Sequence, residues 1–125
     1  MTDVTGFGLL GHLLEVCRGS AVAARVSMAG VPVLDGVAAL ANEGCVTGAS
    51  ERNWASYGEE VRLAPHVSGT DRLLLCDPQT SGGLLITCAR EAVQTVLDTL
   101  RRNGFTGAAC FGEMVEGSPQ VMVDG

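Results

Sequence analysis

Met1-Thr2-Asp3-Val4-Thr5-Gly6-Phe7-Gly8-Leu9-Leu10-Gly11-His12 opens the chain, an acid and two threonines ahead of a glycine-rich turn that runs into an apolar periodic segment. A helix start exposes unpaired N–H groups and the positive end of the macrodipole, so it suits an anion such as phosphate. Asp3 stands beside that start as a hard oxygen ligand of the kind Mg²⁺ uses when it bridges protein to phosphates. The alternative is plain capping, with Thr5 as N-cap and Gly6 and Gly8 serving tight packing. Position 8, three residues past Thr5, is Gly and not Glu or Gln, so no capping box consumes the first amides.

Working outward, residues 7–18 have helical spacing. Phe7, Leu10, Leu14 and Cys17 make the apolar stripe, Leu13 lies beside it, and His12 and Glu15 point the other way. Gly11 at the stripe's edge permits close approach of a neighbour, and Gly19-Ser20 ends the helix. Residues 21–28 read as a strand favoured by Val22 and Val26. Gly30-Val31-Pro32 reads as a turn, and residues 34–42 as a second helix closed by Gly44. Residues 45–66 read as a long polar loop holding the single Trp and Tyr. A short helix over 67–75 is capped by Ser68 or Thr70. The breaker-dense turn Asp77-Pro78-Gln79-Thr80-Ser81-Gly82-Gly83 precedes an apolar strand over 84–88. Ala92, Val93, Val96, Leu97 and Leu100 form the clearest helical stripe, ended by Asn103-Gly104, and strands follow over 108–114 and 120–123. Without a strict βαβ rhythm, the pattern is that of an α+β domain.

The 125 residues, 46% hydrophobic, suffice for one core and one domain. A formal net charge of −6 argues against a nucleic-acid partner, which needs a basic stripe. The apolar runs are too short to span a bilayer, and no signal-peptide pattern opens the chain. The five cysteines (Cys17, Cys45, Cys76, Cys88 and Cys110) form no C-x-x-C pair. They read as reduced thiols of a cytoplasmic protein and not as a disulfide frame or zinc site.

Three segments taken in order resemble one family: Thr2 to His12, then Arg52-Asn53, then Asp77-Pro78-Gln79-Thr80-Ser81-Gly82-Gly83-Leu84-Leu85. They look like the C-terminal half of selenophosphate synthetase (selenide, water dikinase), and the likeness covers nearly the whole chain. That family belongs to a superfamily of ATP-using enzymes that includes aminoimidazole ribonucleotide synthetase. The resemblance implies a layered α/β/α domain with a mixed sheet and partial ferredoxin-like similarity, spanning 1–125, with an N-terminal ATP-binding domain outside this chain. It further implies a homodimer in the full enzyme, with ATP and selenide as substrates and Mg²⁺ as cofactor. The implied reaction turns selenide, ATP and water into selenophosphate, AMP and phosphate.

By the same resemblance Asp3 matches the aspartate that helps hold Mg²⁺ against the ATP phosphates. Phosphoryl transfer needs that neutralisation before its transition state can be stabilised. Thr2 and Thr5 can position phosphate oxygens or metal-bound water, with capping still open for Thr5. Gly6 and Gly8 belong to the same turn. Thr80, Ser81, Gly82 and Gly83 form either a tight structural turn or an anion nest of backbone amides. Arg52 is a phosphate fork or a solvated cation, with Asn53 beside it. His12 is expected on the helix surface near the site, and no residue here is expected to be catalytic.

The family places its reactive cysteine or selenocysteine, a lysine and further aspartates in the N-terminal half. This chain has no lysine, all eight basic residues being Arg. The isolated chain is therefore expected to turn over no ATP and to bind Mg²⁺ weakly, since one carboxylate seldom holds that ion alone. Met1 in place of a preceding segment reads as a fragment or a misplaced start. A free-standing nucleotide- or phosphate-binding module remains the alternative, as does a sister ATP-using enzyme such as thiamine-monophosphate kinase or a hydrogenase-maturation protein.

Overall fold

Thr2–Asp3 form a two-residue strand, β1, and Gly8–Ser20 the first helix, α1. The computed structural model describes residues 1–125. Leu10, Leu14 and Cys17 of α1 are fully buried and Leu13 nearly so, as the 3.6-residue spacing requires of a core-facing stripe. Phe7 departs from the expected stripe. It precedes the helix as its N-terminal flanking residue and is 56% exposed. His12 departs in the other direction, being buried at 7% exposure rather than on the surface. Ala21, at φ 53°, ends α1 in the left-handed region and donates its N–H to Cys17 O.

The strand Ala23–Ser27, β2, lies at the centre of the main sheet. Val61–Leu63 (β3), Gly112–Val115 (β5) and Val121–Asp124 (β6) complete it in the order β3-β6-β2-β5. β6 runs parallel to both β2 and β3, and β5 runs antiparallel to β2. Alternation puts Ala24, Val26, Val61, Val121 and Val123 on the inner face, all buried, where α1 packs on β2 and β6. Arg25, Arg62 and Glu113 are exposed, with Glu113 bridging Arg25 at 3.3 Å and Arg90 at 3.0 Å. Helices and a mixed sheet in this arrangement are the α+β class expected.

Val37–Asn42 form α2, shorter than the expected 34–42, because Gly36 at φ 82° breaks the backbone ahead of it. Gly44 at φ 89° closes it, as expected. The expected loop over 45–66 is instead mostly regular. Gly48–Tyr57 form α3, a 3₁₀ turn covers Gly58–Glu60, and β3 follows. This helix escapes the apolar count because its buried residues are Ser50 and Tyr57, with Trp54 only partly covered.

Gly69–Leu75 form α4, capped by Ser68 through a complete box. The Ser68 hydroxyl accepts from Asp71 N, and the Asp71 carboxylate accepts from Ser68 N, both at 3.0 Å. Leu84–Leu85 form β4, a shorter strand than 84–88, paired antiparallel with β1 so that Asp3 faces Leu84 and Thr2 faces Leu85. Val93–Arg102 form α5. Its apolar stripe is where the sequence puts it, yet none of its residues is fully buried. Val93, Val96, Leu97 and Leu100 line a cavity of about 730 Å³ shared with β2 and β5.

Burial sets the stability ranking of these leucines. Leu14→Ala is expected to cost about 2–5 kcal/mol, whereas Leu34→Ala, at a side chain 82% exposed, should stay within about 0.5 kcal/mol. Urea denaturation of both variants measures the contrast.

Candidate functional site

Asp3 and the two glycine loops meet at one edge of the molecule because β1 pairs with β4. Beyond the pairing, Val4 N donates to Gly83 O at 2.9 Å and Gln79 N to Thr5 O at 3.0 Å. Gly8 sits at φ 71° against the Cys76 backbone, and a Cβ there would come within 2.6 Å of the Cys76 carbonyl carbon. A Cβ on Gly82 would collide with Val4 O. Gly8 and Gly82 are thus glycines because two backbones touch at each. Gly6 and Gly83 face open space, where a Cβ would meet nothing within 4 Å.

Helix α3 clasps both loops from one side. Asn53 Nδ2 donates to Gly6 O at 2.9 Å and to Cys76 O at 3.0 Å. One turn further on, Tyr57 Oη donates to Phe7 O at 2.6 Å. The Tyr57 ring reaches α1 because residue 11 is glycine; a Cβ there would lie 3.0 Å from the ring. Burial pushes the Tyr57 phenol well above its ordinary value, reinforced by the neighbouring Cys76 thiol. Burial likewise raises Cys76. Both therefore stay protonated at neutral pH, and Tyr57 remains a donor. Burial also raises the Asp77 carboxyl. Ionised Asp77 thus costs stability, a penalty that sets in as pH rises from its unfolded value through the folded one.

Around this clasp, the N–H groups of Gly6, Phe7, Thr80, Ser81, Gly82 and Gly83 donate to no backbone carbonyl. Ser81 adopts φ 56°, the left-handed conformation that bends a run of amides toward one side. Asp3 is exposed and its carboxylate enters no ion pair. No three His, Cys, Asp or Glu residues gather to hold a metal by themselves. Thr2 is half-buried, its hydroxyl 3.4 Å from Asp3 O. Thr5 does not cap α1: its Oγ1 lies 3.0 Å from His12 Nε2.

Arg52 is exposed on α3, its Nη1 folded back beside Gly48, whereas Asn53 turns inward to the clasp. Thr80 and Ser81 are exposed at the tip of the turn. The structure thus collects Thr2, Asp3, Thr5, Gly6, Gly8, Asn53, Gly82 and Gly83 into one assembly. Tyr57 and His12 belong to it as well, although the sequence pattern does not assign them to a site. The spacing of Asn53 and Tyr57, four residues apart on one helical face, carries that signal once residues 48–57 are read as a helix.

Residues 1–124 match the family described as AIR synthase related protein, C-terminal domain. A protein of Pseudomonas straminea named selenide, water dikinase is 54% identical over 123 residues, 98% of this chain and 34% of its own length. Proteins of the same name from Burkholderia pseudomallei and Rhizobium meliloti are 55% and 45% identical, each again over 98% of this chain and 35% of their own length. The chain spans about a third of the length of these relatives. No helix is long and apolar enough to cross a membrane.

The two loop glycines respond differently to substitution. Gly82→Ala forces Val4 away and is expected to cost about 2 kcal/mol or more, while Gly83→Ala, in open space, stays within about 1 kcal/mol. Chemical denaturation of the pair measures the difference, and equal losses would mean that the two loops are not in contact at Gly82.

Proposed function

The chain belongs to the AIR synthase related protein, C-terminal domain family, and from that premise we propose that it is the C-terminal part of a selenide, water dikinase. In this reading its two glycine loops and Asp3 receive the phosphates of Mg-ATP. The overall reaction converts ATP, selenide and water to AMP, selenophosphate and phosphate. The observation that carries the reading is the conjunction at one edge of an unpaired, exposed carboxylate and a run of undonated loop amides.

Asp3 offers hard oxygen donors, which suit Mg²⁺, but it is a single carboxylate. It fits as one ligand of an ion shared with substrate phosphates and with groups outside this chain. When bound, Mg²⁺ neutralises phosphate charge. The chain's own contribution is positional. The amides of Gly6, Phe7 and residues 80–83 supply donors held in place before substrate arrives, so no reorganisation is needed as charge develops. Asn53 and Tyr57 keep the first loop from relaxing. Arg52, exposed and free of an ion pair, is available to a further phosphate oxygen. With Asp3 as the one carboxylate assigned to the site and no lysine in the chain, the chain alone is expected to release no phosphate from ATP. Partnership with an ATP-binding N-terminal domain, dimerisation of the whole enzyme and a cytoplasmic setting belong to the same proposal.

The test replaces the matching third of the Pseudomonas straminea relative with this chain and measures selenide-dependent ATP consumption. The chimera is expected to be active, and Asp3→Asn within it to lower turnover about 100-fold, the scale for removing one electrostatic contact to a transition state. Unchanged turnover in Asp3→Asn would remove the carboxylate from the site.

A further inference from the structure

Thr5, an exposed residue, and His12, a buried one, meet at a half-buried contact that the phosphate-binding reading does not use. His12 Nε2 lies 3.0 Å from Thr5 Oγ1, in a residue only 7% exposed. The other ring nitrogen, Nδ1, is 3.4 Å from Glu15 Oε2, one turn along α1, and has no aligned hydrogen bond. Phe7 flanks the ring, with centroids 5.8 Å apart. The Thr5 carbonyl is already committed, accepting from Gly8 N and Gln79 N. Its hydroxyl contacts the His12 ring, on a residue that is itself exposed.

The direction of that hydroxyl follows from the imidazole. A neutral ring has one N–H and one lone pair. An ionised carboxylate accepts and never donates, so Glu15 at 3.4 Å, without a formed hydrogen bond, favours the tautomer that carries its proton on Nδ1 by charge alone. Nε2 then presents its lone pair and Thr5 must donate to it. A hydroxyl has one proton, and spending it on His12 leaves only oxygen lone pairs facing outward.

We propose that Glu15, His12 and Thr5 form a positioning relay that makes Thr5 a hydrogen-bond acceptor at the site. Its ligand is therefore a hydrogen-bond donor, the water of the proposed reaction, and not an ionised phosphate oxygen, which could only accept. The proposal rests on the phosphate-binding reading for its substrate, though the proton arrangement stands independently of it. Thr5 is the residue that touches the water, and His12 acts through Thr5.

Two measurements separate these levels. In the 125-residue chain at pH 8, ¹⁵N NMR of the His12 imidazole is expected to show Nδ1 protonated and Nε2 unprotonated, with Nε2 shifting in Thr5→Val. A protonated Nε2 would overturn the relay whatever the chain's activity. In the active chimera, Thr5→Ser is expected to retain turnover. Thr5→Val is expected to lower kcat roughly tenfold or more with the KM for ATP nearly unchanged, the scale for one lost hydrogen bond made in the transition state. His12→Leu should lower kcat similarly, and the double variant should be no worse than either single one. A rise in the KM for ATP at constant kcat would identify Thr5 as a phosphate donor and overturn the assignment.

Discussion

Asn53 spends one primary amide nitrogen on two carbonyls, Gly6 O and Cys76 O, that lie in loops far apart in sequence. Much of the edge geometry depends on that bridge. Each such bond contributes only about 0.5–1.5 kcal/mol net, but here it acts with three other contacts: Gln79 N on Thr5 O, Val4 N on Gly83 O, and Tyr57 Oη on Phe7 O. The loops are short of regular structure and would otherwise open separately. Tied together in this way, they can only open as a unit.

That arrangement explains an asymmetry among the loop groups. The carbonyls of Thr5, Gly6, Phe7, Cys76 and Gly83 are taken by protein donors. The amides of Gly6, Phe7 and residues 80–83 are not given to protein carbonyls. The first loop, where the carbonyls of residues 5–7 are taken and the amides of Gly6 and Phe7 are spare, presents a positive surface even in a chain of net charge −6. An anion brought to these amides would be attracted locally although the net charge of the protein repels it. Protein-wide charge thus says little about this site, because peptide dipoles decide it at contact range.

The elements most legible in the sequence are those whose burial follows periodicity: α1 with Leu10, Leu14 and Cys17, β2 and β6 with alternating small apolar residues, and the Ser68 cap. Helix α3 is hidden from an apolar count because its inward face sets a single aromatic, Tyr57, among the polar Ser50 and Asn53. The burial of His12 escapes the pattern for a related reason. Helical angle alone puts it off the stripe, but Thr5 folds back over the helix start and covers it. At the edge, the sequence identifies Asp3 and both glycine loops as candidates, yet it cannot show that Gly8 and Gly82 are packing glycines while Gly6 and Gly83 are open. That distinction depends on which backbone lies opposite, a tertiary fact no local pattern encodes. The same holds for Arg52 and Asn53, neighbours in sequence that α3 sends to solvent and to the clasp respectively.

The central claim is that this edge meets a metal-bound polyphosphate through Asp3 and the spare amides. A crystal structure of the chimeric enzyme with Mg²⁺ and a non-hydrolysable ATP analogue tests it most directly. The account predicts an Asp3 carboxylate oxygen at about 2.0–2.1 Å from Mg²⁺, with loop amides donating to phosphate oxygens. A nucleotide bound with Asp3 turned to bulk solvent and those amides still hydrated would contradict it.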